Sequence, residues 1–151
     1  MARITMDGLD AMIEDLESIM ELPDKVVMEM LNAEADVVEK AQKDKLKKFG
    51  LIGRKEGGQL INSIRRTKKL TKKNLEKAIF VYPQGVRRGS GIRNAEVGFI
   101  LEYGAPHKKA ANGKGGISPT HWMKQANEEC AEEAVEKAAQ VYDNYLKQHN
   151  L

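Results

Sequence analysis

Apolar positions in this chain form helical stripes at both ends and short, less regular runs in the middle. Leu9, Met12, Ile13, Leu16, Ile19 and Met20 recur at spacings of three and four, which predicts an amphipathic helix. Asp7 suits its N-cap, and Asp10 sits in the first turn, where the helix dipole favours a carboxylate. Pro23 interrupts the stripe and opens a second helix, since proline is tolerated in a first turn. From Asp24 to Phe49, residues Val26, Val27, Met30, Leu31, Ala33, Val37, Val38 and Ala41 make a wide apolar face suited to burial on two sides. Gly50 fits the left-handed position after the helix, Lys47 and Lys48 suit its negative pole, and Leu46 and Leu51 are placed to touch across the ending.

The middle of the chain reads as short pieces. Gly50, Gly53, Gly57 and Gly58 predict a mobile connection. Gln59–Ile64 reads as a short helix with Leu60, Ile61 and Ile64 on one side. Ile64–Leu70 reads as extended and very basic, and Leu70–Lys77 as an exposed turn. Ala78–Tyr82 is the best strand, rich in β-branched and aromatic residues and stopped by Pro83. Gln84–Ile92 is a glycine-containing loop. Asn94–Tyr103 fits two periods: Val97, Phe99, Leu101 and Tyr103 alternate, while Val97, Ile100, Leu101 and Gly104 share a helical face. Ten residues do not decide between them. Gly104–Ile117 is a Gly/Lys loop. Ser118 can cap a closing helix with Pro119 at its first position. Its stripe runs through Met123, Ala126, Cys130, Ala134, Val135, Ala138, Val141, Tyr142, Tyr145 and Leu146, opposite Glu128, Glu129, Glu132 and Glu133. The predicted fold class is α+β: long N-terminal and C-terminal helices packed on a small antiparallel sheet with extended basic loops, as one domain over 1–151.

Composition narrows the function classes. With 41% hydrophobic and 31% charged residues the chain is globular rather than disordered. One cysteine, Cys130, excludes an internal disulfide framework and a cysteine-based zinc site. There is no apolar run of membrane-spanning length and no signal-type hydrophobic stretch at the start, so a soluble protein of a reducing compartment is expected. Charge is unevenly spread. Residues 1–42 carry a net −8, residues 43–77 a net +10, residues 78–118 a net +4 and residues 119–151 a net −3. Such asymmetry predicts charge-complementary surfaces, within one subunit or between copies.

Candidate chemistry is sparse. His107 and His121 could meet across the glycine loop, but no carboxylate pair accompanies them, and His149 lies at the tail. Gly113-Lys114 lacks the Ser or Thr of a phosphate loop. Cys130 lies on an apolar face among glutamates, where burial and negative neighbours raise a thiol pKa, so it is expected to be inert core. No catalytic, cofactor or metal site is expected. The basic residues Arg65, Arg66, Lys68, Lys69, Lys72, Lys73, Arg87, Arg88, Lys108 and Lys109 are the candidate partner-binding set. A small basic nucleic-acid-binding protein is the alternative reading, although no helix-turn-helix, zinc finger or stacking aromatic array accompanies these cations.

Three elements, in this order, carry a resemblance: Gly57-Gly58-Gln59-Leu60-Ile61-Asn62-Ser63-Ile64, then Phe99-Ile100-Leu101-Glu102-Tyr103-Gly104, then Pro119-x-x-Trp122-x-x-x-Ala126. Together they resemble the small neck or tail-completion proteins of long-tailed bacteriophages, over about residues 5–145. The resemblance implies that Asn94–Tyr103 is helical. It also implies a non-enzymatic virion protein, assembled in the host cytoplasm, whose copies form a ring, expected to be a hexamer. The ring would join the head connector, on the head-closure side, to the tail terminator or tail tube, leaving a channel in which DNA contact is non-specific. At the matching positions, Gly104 would supply a tight turn, Pro119 and Trp122 would anchor the loop to the core, and Leu60 and Ile64 would pack the short helix under the sheet. The basic segment 65–77 and the loop 104–117 depart from the family pattern.

Overall fold

The computed structural model describes residues 22–50, 59–73, 76–105 and 116–149. The predicted helix over Leu9–Met20 and the glycine connection 51–58 lie outside the described residues, as does most of the 104–117 loop. The order of elements is α1 (Asp24–Lys48), α2 (Gln59–Ser63), β1 (Ile64–Arg66), β2 (Thr71–Lys73), β3 (Glu76–Ala78), β4 (Val81–Pro83), α3 (Asn94–Tyr103) and α4 (Trp122–His149). The class is α+β, with two long helices packed together and on small antiparallel two-stranded sheets.

The two long helices run antiparallel. Gln42 of α1 donates to Asn127 of α4 at 3.0 Å, while Leu46, one turn further along α1, joins the core cluster with Trp122 at the start of α4. The α4 residues facing α1 are small: Ala126, Cys130, Ala134 and Ala138, four apart and all buried. A ridge of small side chains at this spacing lets two helix backbones approach closely. On α1, Val26, Ala35, Gln42 and Leu46 are buried, and Val27, Met30, Leu31, Ala33, Val37, Val38 and Ala41 are half-buried. Gly50 ends the helix region at φ +63°, with its N–H bonded to the carbonyl of Lys47 at 3.0 Å. That is the left-handed ending the sequence predicts.

The core lies where the elements converge near the end of α1. Leu46, Leu60, Ile64 and Trp122 form it, with Ile61, Val81, Val97, Leu101 and Met123 packed against it. Leu60 packs the short helix into this core as expected, whereas Ile64, expected on the same helix, is buried there as the first residue of β1. α3 is a helix, as the resemblance implies. Its Gly98 packs closely: a Cβ there would stand 3.0 Å from Pro83 Cγ, a tight approach, and 3.7 Å from Trp122 Cζ2, an ordinary contact.

Four local expectations are corrected. The predicted strand Ala78–Tyr82 is divided between β3 and β4, because Ile79 and Phe80 leave the ladder. The Phe80 N–H bonds to Thr67 Oγ1 at 3.1 Å, and the Thr67 N–H bonds to the Phe80 carbonyl at 2.8 Å. Pro83 stops the run as expected, as the last residue of β4, where a missing N–H is tolerated. Leu70–Lys77 is not simply a turn: Thr71–Lys73 pairs with Glu76–Ala78 as a hairpin. The closing helix starts at Trp122 rather than at Pro119, which is exposed and does not anchor the core. Val135 is 64% exposed and lies outside the buried stripe.

Candidate functional site: a basic ribbon and a capped junction

β1 and β4 make a two-stranded ribbon against α1, with Ile64 opposite Pro83, Arg65 opposite Tyr82 and Arg66 opposite Val81. Strand alternation puts Ile64 and Pro83 inward, both buried, and turns Arg65 and Tyr82 outward. Phe80, two residues before Tyr82, is exposed as well. Nothing in the hydrophobic pattern marks this exposed pair, because the run Ala-Ile-Phe-Val-Tyr reads as uniformly apolar.

The structure does not gather the basic candidates into one patch. Arg65 lies on the outer ribbon face, its Nε donating to the Asn62 carbonyl at 3.3 Å. Lys68 and Lys69 are exposed at one end of the ribbon, where the chain leaves β1. Arg87 and Arg88 follow β4 at the other end. Arg88 is exposed, whereas Arg87 is half-buried with its Nε enclosed and unpartnered. Arg66 and Lys72 are already engaged within the chain. Arg66 pairs with Asp36 and donates to the Asn32 carbonyl at 3.3 Å. Lys72 and Lys77 both pair with Asp24, the latter at 3.1 Å. Lys73 belongs to β2. Lys108 and Lys109 lie outside the described residues.

Asp24 and Asp36 of α1 therefore neutralise part of the basic segment within one chain. The hydrogen bonds from Lys72 and then Lys77 hold the Asp24 carboxyl below the usual aspartate value. The same effect from Lys45, reaching across from α1, lowers Glu129 on α4. Glu34, partly desolvated on α1, is shifted upward. Burial raises the Cys130 thiol, in keeping with an inert core residue.

The second arrangement is the junction between α3 and α4, built around Glu102, for which the local pattern of the chain predicts no role. This side chain is 5% exposed. Its Oε2 accepts the N–H of Met123 at 2.7 Å, and its Oε1 accepts that of Lys124 at 3.1 Å. A carboxylate from another helix thus caps α4, satisfying donors that the first turn leaves free and opposing the positive end of the dipole. Thr120 N–H and His121 N–H bond to the carbonyls of Leu101 and Glu102 at 3.0 and 3.1 Å, holding 120–121 out of the helix. His121 adopts φ +50° at this point. Trp122 is fully buried, and its Nε1 donates to the Gly98 carbonyl at 3.2 Å. Gly104 has φ +78°, and a Cβ on it would stand 2.6 Å from the Ile117 carbonyl oxygen. A proline at 119 with a tryptophan three residues later made a helix start there the natural expectation. The true cap comes from 20 residues upstream and has no local signature.

Chemically, the junction has little left to offer a substrate. Glu102 is committed to two backbone donors, and His121 is exposed, with its ring edge-on to Tyr103 at a centroid distance of 6.4 Å. Tyr103 also stacks obliquely on Phe99 at 4.7 Å, and both are 61% exposed. Among the described residues no group of three His, Cys, Asp or Glu is placed to hold a metal ion. No helix among them is long and apolar enough to cross a membrane. No known protein family, curated protein or solved structure matches this chain.

Proposed function

We propose that this chain is a non-enzymatic structural subunit of the neck of a long-tailed bacteriophage. Copies form a ring that joins the head connector, on the head-closure side, to the tail, on the terminator side, with a channel left for DNA. The observation that supports this reading best is the convergence of the resembling elements. Leu60 and Ile64 from the first, Glu102 and Gly104 from the second and Trp122 from the third meet around one core and one helix junction. Motifs that share a fold in this way belong together as a framework, and their role is to hold surfaces rather than to react. The exposed side chains Phe80, Tyr82, Phe99 and Tyr103 are apolar surface of the kind that subunit contacts cover.

The test is genetic and structural together. Phage lacking this chain should accumulate filled heads and finished tails that do not join. An antibody or tag on it should mark the neck of complete particles. Joined particles formed without it, or a label located elsewhere, would refute the proposal. A second reading, nucleic-acid binding, draws on Phe80 and Tyr82 beside Arg65 on the outward ribbon face. It requires affinity for DNA that falls steeply with salt.

A further inference from the structure

The outward face of α4 has a consistent character. At 3.6 residues per turn, Glu128, Glu132, Val135, Glu136 and Asp143 lie opposite the buried stripe Ala126, Cys130, Ala134 and Ala138. All five are exposed. Glu128 has a long contact with Lys124 at 3.8 Å, but Glu132, Glu136 and Asp143 meet no basic group among the described residues. Val135, 64% exposed, stands between the acidic ends.

The outward face of the β1–β4 ribbon is its counterpart. Tyr82 occupies the centre opposite Arg65, Phe80 lies beside Thr67 at the end that carries Lys68 and Lys69, and Arg88 lies beyond the other end. Arg65, Lys68, Lys69 and Arg88 make no ion pair among the described residues. From Gln59 to Ala95 the chain contains one acidic residue, Glu76, and it lies in the other hairpin. Each face thus has an apolar centre between charged ends, and the two carry opposite signs.

These faces cannot meet within one chain. α1 presents Asn32 and Asp36 to the ribbon through Arg66, and Gln42 and Lys45 to α4. Those pairs lie on different sides of the helix, so the ribbon and the outer side of α4 look out in different directions. A surface whose complement lies elsewhere on the same molecule makes a head-to-tail contact, which closes into a ring when the rotation permits.

We propose that the outward face of α4 docks on the outward face of the β1–β4 ribbon of a second copy of this chain. The proposal rests on the ring reading above and names its contact. A second copy satisfies both faces at once. DNA would engage only the ribbon and would be repelled by the glutamates of α4.

Charge reversal tests this. One variant carries Glu132→Lys and Glu136→Lys, and the other carries Arg65→Glu and Lys69→Glu. All four positions are on the surface, so thermal melts should match the unaltered protein and show that both variants fold. By sedimentation and native mass spectrometry, the unaltered protein should form assemblies larger than a dimer. Each variant alone should associate at least about tenfold more weakly, since like charges then face each other. Mixed in equal amounts, the two variants should assemble again in strict alternation. Their reversed faces are complementary only to each other.

The proposal is overturned if either variant alone assembles normally, if the mixture stays apart, or if the unaltered protein is monomeric throughout. It is also overturned if the ribbon variant assembles normally and loses only salt-dependent retention of a DNA duplex. Particle labelling separates the two levels. Restored alternation with a label outside the neck would keep the contact and remove the neck function. A neck label with no effect of reversal would do the opposite.

Discussion

Glu102→Ala is the most informative single change, because it removes the cap of α4 without touching α4. The carboxylate accepts two backbone N–H groups, at 2.7 and 3.1 Å, from a position only 5% exposed. Hydrogen bonds to a charged group contribute about 1.5–3 kcal/mol each in favourable cases, and a charge at a partly buried helix end adds up to about 2 kcal/mol. These contributions overlap, and water can enter a truncated site. The expected loss is therefore about 3 kcal/mol, more than the roughly 0.5–2 kcal/mol of a local N-cap, because two donors are left without their buried carboxylate. For a chain of this size that corresponds to a melting temperature lower by about 6–12 °C. Glu102→Gln keeps one acceptor oxygen and the volume but loses the charge, so it should lose about 1–1.5 kcal/mol. Urea unfolding followed by circular dichroism measures both, with an unchanged slope showing that the unfolded state is comparable. An Ala variant within about 0.5 kcal/mol of the unaltered protein would refute the cap. A Gln variant as unstable as the Ala variant would show that charge has no part in it.

Further predictions follow from the same geometry. Gly104→Ala combines φ +78° with a Cβ 2.6 Å from the Ile117 carbonyl oxygen; it should destabilise by about 2–4 kcal/mol. Gly50→Ala is its control: φ is +63° but the space around it is open, so the loss should be about 1 kcal/mol, and equal losses in thermal melts would contradict the close approach. Ala134→Asp places a carboxylate in the α1–α4 contact and should cost about 3–4 kcal/mol; an unchanged melting temperature would mean that α4 does not pack there. Asp24 has a folded pKa below the ordinary 3.8, set by Lys72 and then Lys77. Its pairing is therefore present above that value and lost as pH falls through the lower folded value. The stability difference between the unaltered protein and Asp24→Asn should be constant above about pH 5 and shrink in more acid solution; a difference independent of pH would exclude the pairing.

The features that can be read along the chain are local. α1 and α4 were legible because their stripes repeat over many turns, and contacts three and four residues apart lie within one element. The end of α1 at Gly50, the short helix at Gln59–Ser63 and the burial of Cys130 were legible for the same reason. The basic candidates were visible as residues but not as a surface. Only the fold decided that Arg66 and Lys72 turn to Asp36 and Asp24, leaving Arg65, Lys68, Lys69 and Arg88 without an ion pair among the described residues. α3 was undecided by its pattern, since ten residues satisfy both periods, and only the resemblance pointed to a helix. Packing of Gly98 against Pro83 and Trp122 accompanies the helical arrangement in the structure. The division of Ala78–Tyr82 depends on a bond from Phe80 to Thr67, 13 residues away. The start of α4 depends on a carboxylate 20 residues upstream. Such partners are brought together by the collapse of distant segments around Leu46, Ile64 and Trp122, and no periodicity along the chain encodes which of them will meet.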